Sequence, residues 1–198
     1  MSADILLKQV SQLVAGLHDI KDERPEWAKK HVEGGPDICL YYRFLYELTK
    51  TISARSGVTC VETGTRLGCS AAQMAVANPA GIVISVDIDP ECSKRVAALS
   101  VANIVAITGD SIAAFAEVEK RCKAIDLLYL DSDHVFARVL AEYAVYGSIV
   151  RDGGFVLCDD IHMNSDMERF WNAVREPKSE FNHLHTGFGF GVVVKGGM

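Results

Sequence analysis

No apolar run in this chain approaches the roughly 20 residues that a membrane-crossing helix requires, and none of its six cysteines pairs into a CxxC element. Basic charge is short as well: 20 Lys and Arg stand against 26 Asp and Glu, a formal net charge of −6. A surplus of acid gives no electrostatic case for a nucleic-acid backbone or an anionic membrane, and a small-molecule partner is the expectation. Repeats, low-complexity tracts and Gly/Ser/Pro linkers are also missing, so nothing divides the 198 residues into separate domains. Cys60 and Cys158 fall inside apolar strand-like runs. Buried thiols are therefore expected at Cys39, Cys60, Cys69, Cys92, Cys122 and Cys158, in place of a disulfide framework or a zinc site. The opening MSADILLKQVSQLVAGLHDI is amphipathic without a signal-peptide core, and a cytoplasmic location is expected.

What the chain does contain is a change of rhythm. Leu6, Val10, Leu13, Val14 and Leu17 recur at helical spacing, and LYYRFLYELTKTISARSG reads as a second helix with Gly57 as its C-cap. HVEGGPD between them reads as a loop. Residues 1–57 thus form a helical extension to a core spanning 58–198. From Val58 onward, short apolar runs (VTCVET, GIVISVD, NIVAITGD, AIDLLYLD, GFVLCDD) alternate with helical segments. Strands buried on both faces and joined by helices give an α/β, doubly wound, mostly parallel sheet of about seven strands. The end departs from this: FNHLHT and VVVK around GFGFG are too closely spaced for a parallel crossover, so an antiparallel hairpin is expected.

VETGTRLGCS, at the first strand–helix junction, places Gly64 and Gly68 where a ligand's anionic group can approach a helix N-terminus. A dinucleotide G-x-G-x-x-G starting at Gly64 would need glycine at positions 66 and 69, which are Arg66 and Cys69. Asp87 ends the second strand about 20 residues on, where a carboxylate can accept hydrogen bonds from both ribose hydroxyls. Asp89 before Pro90 has a structural role as an N-cap, whereas Asp87 has none visible in the sequence. Strands four and five end in YLDSDH and VLCDDIH. Asp131, Asp133, His134, Asp159, Asp160 and His162 therefore gather at one sheet edge, where their carboxylates repel unless protons or a cation neutralise them. Oxygen donors of this kind suit Mg²⁺ or another hard divalent ion. The competing reading makes Asp131 a helix cap and one of the Asp159/Asp160 pair a loop-shaping residue.

The arrangement E-x-G-x-x-x-G-x-S, followed by a second-strand acid, DSDH and RDGGFVLCDD in that order, resembles the class I S-adenosylmethionine-dependent methyltransferases over roughly Val58 to Lys195. It looks most like the small-molecule O-methyltransferases of the catechol type and a bacterial branch acting on antibiotics and sugars. The resemblance implies a Rossmann-like fold. It also implies cofactor contacts at Glu62, Gly64, Thr65, Gly68, Ser70, Asp87, Asp110, Ser111 and Asp131, although Asp110 serves equally well as an N-cap. It implies a divalent metal on Asp131, Asp159 and Asp160, and transfer of a methyl group to a hydroxyl. Catechol-type enzymes carry a lysine soon after the fourth-strand Asp; this chain has S-D-H-V-F there, so the base is not carried over. His134 and His162 are the candidate proton acceptors beside Asp131, while His18, His31, His183 and His185 lie in no motif. Tyr41, Tyr42, Phe44 and Tyr46 form either an acceptor wall or core. The N-terminal helix would suit a homodimer. The rival readings are an inactive cofactor-binding relative and a nucleotide-dependent oxidoreductase.

Overall fold

In the computed structural model, which describes residues 1–33, 40–185 and 187–196, seven strands form one sheet. The strands are β1 (Thr59–Thr63), β2 (Ile82–Asp87), β3 (Ile104–Thr108), β4 (Ile125–Leu130), β5 (Val150–Asp159), β6 (Lys178–Glu180) and β7 (Phe190–Val194), in the order β3-β2-β1-β4-β5-β7-β6. The first five pair in parallel, and β7 runs antiparallel to both β5 and β6. This is the Rossmann-like arrangement expected, with its reversal of strand order between β1 and β4.

Alternation along each strand loads both faces. Cys60, Leu127 and Leu157 face one core with α1 (Ala3–Gly16), α3 (Tyr41–Ser53) and α4 (Cys69–Ala77). Val61, Leu128 and Val156 face the other with α6 (Ser111–Arg121), α7 (Phe136–Gly147) and α8 (Ser165–Ala173). Helices α2 (Glu26–Lys30) and α5 (Pro90–Ala98) complete the set. The apolar stripe of α1, with Val10 and Val14 buried, is spent within this core. Among the described residues no helix is long and apolar enough to cross a membrane, and the five described cysteines are buried and unpaired. Cys39 and the centre of HVEGGPD lie outside the described residues.

Two local expectations are corrected. Helix α3 ends at Ser53, with Ala54 as its C-cap, so Gly57 does not terminate it. Gly57 is required for another reason: a Cβ there would lie 2.1 Å from the Ala80 carbonyl oxygen. The terminal antiparallel pair exists, but its first strand is the polar Lys178–Glu180 and not FNHLHT. Phe181 and Leu184 instead bury their side chains from a turn, in which the Leu184 N–H donates to the Phe181 carbonyl at 2.9 Å.

Candidate active site

Register alone assembles the site. Thr63 lies beside Val86 and Leu130, and Leu130 beside Cys158, so Gly64, Asp87, Asp131 and Asp159 emerge at one edge. The cleft above them has two adjoining parts. A smaller part of about 320 Å³ is lined by Gly64, Val86, Asp87, Ile88, Ser111, Asp133 and Glu142. A larger part of about 540 Å³ carries Tyr41, Tyr42, Asp131, His134, Asp159, Asp160, His185 and Phe188. Gly64, Asp87 and Ser132 border both.

The glycine turn is held by carboxylates on either side. Asp87 Oδ2 accepts the backbone N–H groups of Thr65 (2.9 Å) and Arg66 (3.0 Å), and Oδ1 accepts that of Asp89 (2.9 Å). Burial works against the charged form, but these three donors outweigh it and hold the Asp87 carboxyl below the usual carboxylate range. Asp87 therefore has a structural role that the sequence did not suggest, while Asp89 caps α5 as expected, accepting the Glu91 N–H at 2.9 Å. Glu62 is wholly buried beneath the turn, where Ser70 and Ser85 donate to it at 2.6 and 2.5 Å. Burial pushes its carboxyl up to about 7 against those two hydrogen bonds. Thr65 shares a 2.6 Å hydroxyl contact with Ser85, and Thr65 and Ser70 both line the cleft. Gly68, in the left-handed region at φ 74°, is the N-cap residue of α4.

At the smaller end, Ser111 lines the cleft, whereas the Asp110 carboxylate caps α6 through the Ala113 N–H (3.0 Å) and pairs with Arg138. The fully buried carboxylate of Glu142 was not anticipated. It accepts from Thr63 (3.0 Å), from Ser132 (2.7 and 2.8 Å) and from Ser111, tying together the exits of β1 and β4 and the start of α6. A sign of it lay in the sequence: Val139, Glu142, Tyr143 and Tyr146 share one buried helical stripe, and a charge there needs partners.

At the other end, Asp131 does not cap a helix: α7 begins at Phe136, whose N–H donates to Asp166. Although 28 % of its side chain opens on the cleft, the Asp131 carboxyl is pushed well above the usual range. Its desolvated surroundings come first among the causes, then the charges of Asp159, Asp160 and Glu62. Asp159 is saturated with donors: Tyr129 Oη at 2.8 Å, the Asp160 N–H at 3.0 Å and His185 Nδ1 at 2.8 Å. Asp160, in the left-handed region at φ 55°, is different. Its Oδ1 is shut from solvent with no aligned donor, and its Oδ2 lies 3.0 Å from His134 Nε2. A crowd of carboxylates with an orphaned, buried oxygen is the electrostatic setting a cation relieves.

Pairing with Asp160 raises His134 above the usual imidazole range against partial desolvation. For His185 the opposing desolvation is the largest contribution, yet Asp159 and Asp160 overcome it and raise the imidazole too. His162 does not join the cluster. Its Nε2 lies 3.0 Å from Glu180 Oε2, and it does not line the cleft. His185 takes the place expected for it, because β7 runs antiparallel to β5 and starts beside Asp159, which brings the preceding loop to the carboxylate edge. Tyr41 and Tyr42 line the cleft, whereas Phe44 and Tyr46 are buried away from it.

A switch-point cleft of this kind, on a sheet of order 3-2-1-4-5-7-6, is the architecture of the class I S-adenosylmethionine-dependent methyltransferases. Residues 61–161, half of the chain, match the family model described as "Methyltransferase domain"; the chain belongs to that family and is an S-adenosylmethionine-dependent methyltransferase. None of the curated proteins matches the sequence. Among solved structures, the chain is similar to the O-methyltransferase TomG of Streptomyces achromogenes, involved in tomaymycin synthesis and solved with SAM (TM-score 0.69, 16 % identity, 93 % of this chain and 96 % of that one). It is also similar to an O-methyltransferase of Bacillus cereus in complex with SAH (0.62, 16 %, 96 % and 90 %). A third is MycE of the mycinamycin biosynthetic pathway in complex with Mg, SAH and mycinamycin VI (0.63, 16 %, 89 % and 57 %).

Glu142 offers a direct check on whether the smaller end of the cleft takes the cofactor. Glu142→Ala leaves the hydroxyls of Thr63, Ser111 and Ser132 without their acceptor, at about 1–3 kcal/mol for each that finds no other. The variant is expected to melt several degrees lower and to bind S-adenosylhomocysteine at least tenfold more weakly in a calorimetric titration. Unchanged affinity would mean that the three segments hold their places without it.

Proposed function

We propose that this methyltransferase transfers its methyl group to a hydroxyl of a small molecule, with a divalent cation such as Mg²⁺ held by Asp131, Asp159 and Asp160. The observation that carries this reading is the continuity of the cleft: Gly64, Asp87 and Ser132 belong to both parts, so a cofactor lying along the turn would face the carboxylate–imidazole cluster. The Mg in the MycE complex and the O-methyltransferase names of the similar structures support it.

When bound, S-adenosylmethionine supplies an electrophilic methyl group, and a divalent ion supplies Lewis acidity that stabilises the deprotonated hydroxyl. The displacement breaks the sulfonium C–S bond and forms the C–O bond, so the chain has only to align the reactants and take up the hydroxyl proton. His185 is built for the second task. Its Nδ1 lies 2.8 Å from Asp159 Oδ1, and with Nδ1 donating there, Nε2 keeps the free lone pair that receives the proton. Tyr41, whose ring centroid is 4.9 Å from that of His185, joins Tyr42 and Phe188 in an apolar wall suited to an aromatic acceptor. The five described cysteines, buried and unpaired, suit a reducing compartment such as the cytoplasm.

The test is incubation with methyl-labelled S-adenosylmethionine, a divalent ion and a panel of phenols, hydroxylated sugars and amines, with products located by NMR. Labelled methoxy products are expected. Label on nitrogen alone would overturn the oxygen acceptor, and S-adenosylhomocysteine formation unaffected by chelator would overturn the cation.

A further inference from the structure

The carboxylates of the cluster are not equivalent. Asp159 already satisfies Tyr129, the Asp160 N–H and His185, and is 2 % exposed. Two triads have the spacing for an ion, Asp131–His134–Asp160 and Asp159–Asp160–His185, but in the second Asp159 is occupied by its donors and His185 Nδ1 by Asp159. His134 Nε2 and Asp160 Oδ1 are both buried without an aligned hydrogen bond, and Asp160 as a whole is 9 % exposed. One donor atom from each of Asp131, His134 and Asp160 falls within 4.8 Å of the others. His134 Nε2 is 3.0 Å from Asp160 Oδ2 and 3.9 Å from Asp131 Oδ1, both inside the roughly 4.2 Å that two bonds of about 2.1 Å to one ion can span.

We infer that the cation seat is formed by Asp131, His134 and Asp160, with His134 Nε2 as a ligand, and that it prefers a first-row transition ion such as Mn²⁺, Co²⁺ or Zn²⁺ to Mg²⁺. Mg²⁺ favours oxygen donors and gives up its waters reluctantly, whereas imidazole nitrogen is a good ligand for the transition ions. Asp159 then acts through His185 and Tyr129 and does not itself bind the ion. The inference rests on the reading that this cluster holds a divalent cation, and it replaces the all-carboxylate ligand set by a mixed one.

The test uses the full-length protein stripped with chelator and titrated with Mn²⁺, Co²⁺ and Mg²⁺ by calorimetry. Pulsed electron paramagnetic resonance of the Mn²⁺ complex reads out nitrogen ligation without any assay of turnover. The expected result is Co²⁺ binding at least 30-fold tighter than Mg²⁺ and an imidazole ¹⁴N coupling to Mn²⁺. In His134→Gln the coupling disappears and the preference for Co²⁺ falls at least tenfold, while His185→Gln keeps both. Binding of Mn²⁺ with no ¹⁴N coupling in the unaltered protein, a measurement that needs no variant to fold, overturns the inference and leaves the divalent-cation reading intact. Coupling that survives in His134→Gln and vanishes in His185→Gln overturns the assignment of the ligand. No binding of any of the three ions overturns both.

Discussion

Gly64→Ala is expected to abolish binding of S-adenosylmethionine and to destabilise the fold. Gly64 sits at φ 90°, a region that alanine rarely adopts. A Cβ at this position would lie 1.9 Å from the Asp131 carbonyl oxygen, 2.5 Å from its carbon and 2.9 Å from the Ser132 Cα, all backbone atoms that no rotamer change can remove. Nor can the turn slide away. The Gly64 N–H donates to the Val86 carbonyl at 2.9 Å, and the Asp131 N–H donates to Thr63 at 3.0 Å, so β1, β2 and β4 are clamped together where the collision occurs. Relief requires prising β4 from β1 at the point where Asp131 and Ser132 enter the cleft. A cost on the order of 3 kcal/mol or more, the range of severe single substitutions, corresponds to a melting temperature lower by roughly 6–12 °C for a domain of this size. Calorimetry with S-adenosylhomocysteine is expected to give no measurable heat. Gly16→Ala, where nothing lies within 4 Å, serves as the control and is expected to leave both quantities unchanged or to raise stability slightly. Wild-type affinity in Gly64→Ala would mean that the turn is not where the cofactor binds.

What the sequence made legible follows from which forces write themselves into residue type. Strands β1, β2 and β4 and the second half of β5 are buried on both sides, so they had to be nearly continuous apolar runs, and their exits could be read as the site because parallel register carries them to one edge. Strand β6 carries no such mark. Lys178, Ser179 and Glu180 form an edge strand through backbone pairing alone, and the neighbouring FNHLHT imitated a strand because Phe181 and Leu184 are core residues delivered from a turn. That displacement hid His185, whose place depends on where an antiparallel strand begins and not on any motif around it. His162, two residues after Asp160 in sequence, turned out to face Glu180, because the chain beyond a left-handed Asp160 departs in a new direction. The structural roles of Asp87 and Glu142 were hidden for a shared reason: most of what they bind is backbone N–H or hydroxyl groups from segments distant in the chain, and spacing along one strand or helix does not record those partners.

Asp160→Asn is expected to lower kcat by about 10² to 10³ or more while leaving the affinity for S-adenosylhomocysteine within about threefold of the unaltered protein. Asparagine is the informative replacement. Asp160 holds φ 55°, and asparagine tolerates that left-handed conformation nearly as well as aspartate, so the chain path toward His162 and the loop survives. The carboxamide also keeps the shape next to His134 and His185, whose nitrogens lie 3.0 and 3.2 Å from the two Asp160 oxygens. What is lost is one full negative charge from a buried cluster. Asp160 does not line the smaller part of the cleft beside Ser111 and Glu142, and it makes no hydrogen bond to the Gly64–Gly68 turn, so the expected cofactor contacts there are left in place. Losing several kcal/mol of charge stabilisation at the proposed cation gives the stated range of rates, at about 1.4 kcal/mol for each factor of ten. Asp131→Asn is a poorer probe, since the Asp131 backbone abuts Gly64, which borders both parts of the cleft. Measurement of kcat at saturating divalent ion, alongside calorimetry with S-adenosylhomocysteine, separates the two effects. If the Asp160→Asn enzyme turns over at the normal rate, the carboxylate cluster takes no part in the transfer, and the acceptor must be activated elsewhere along the cleft.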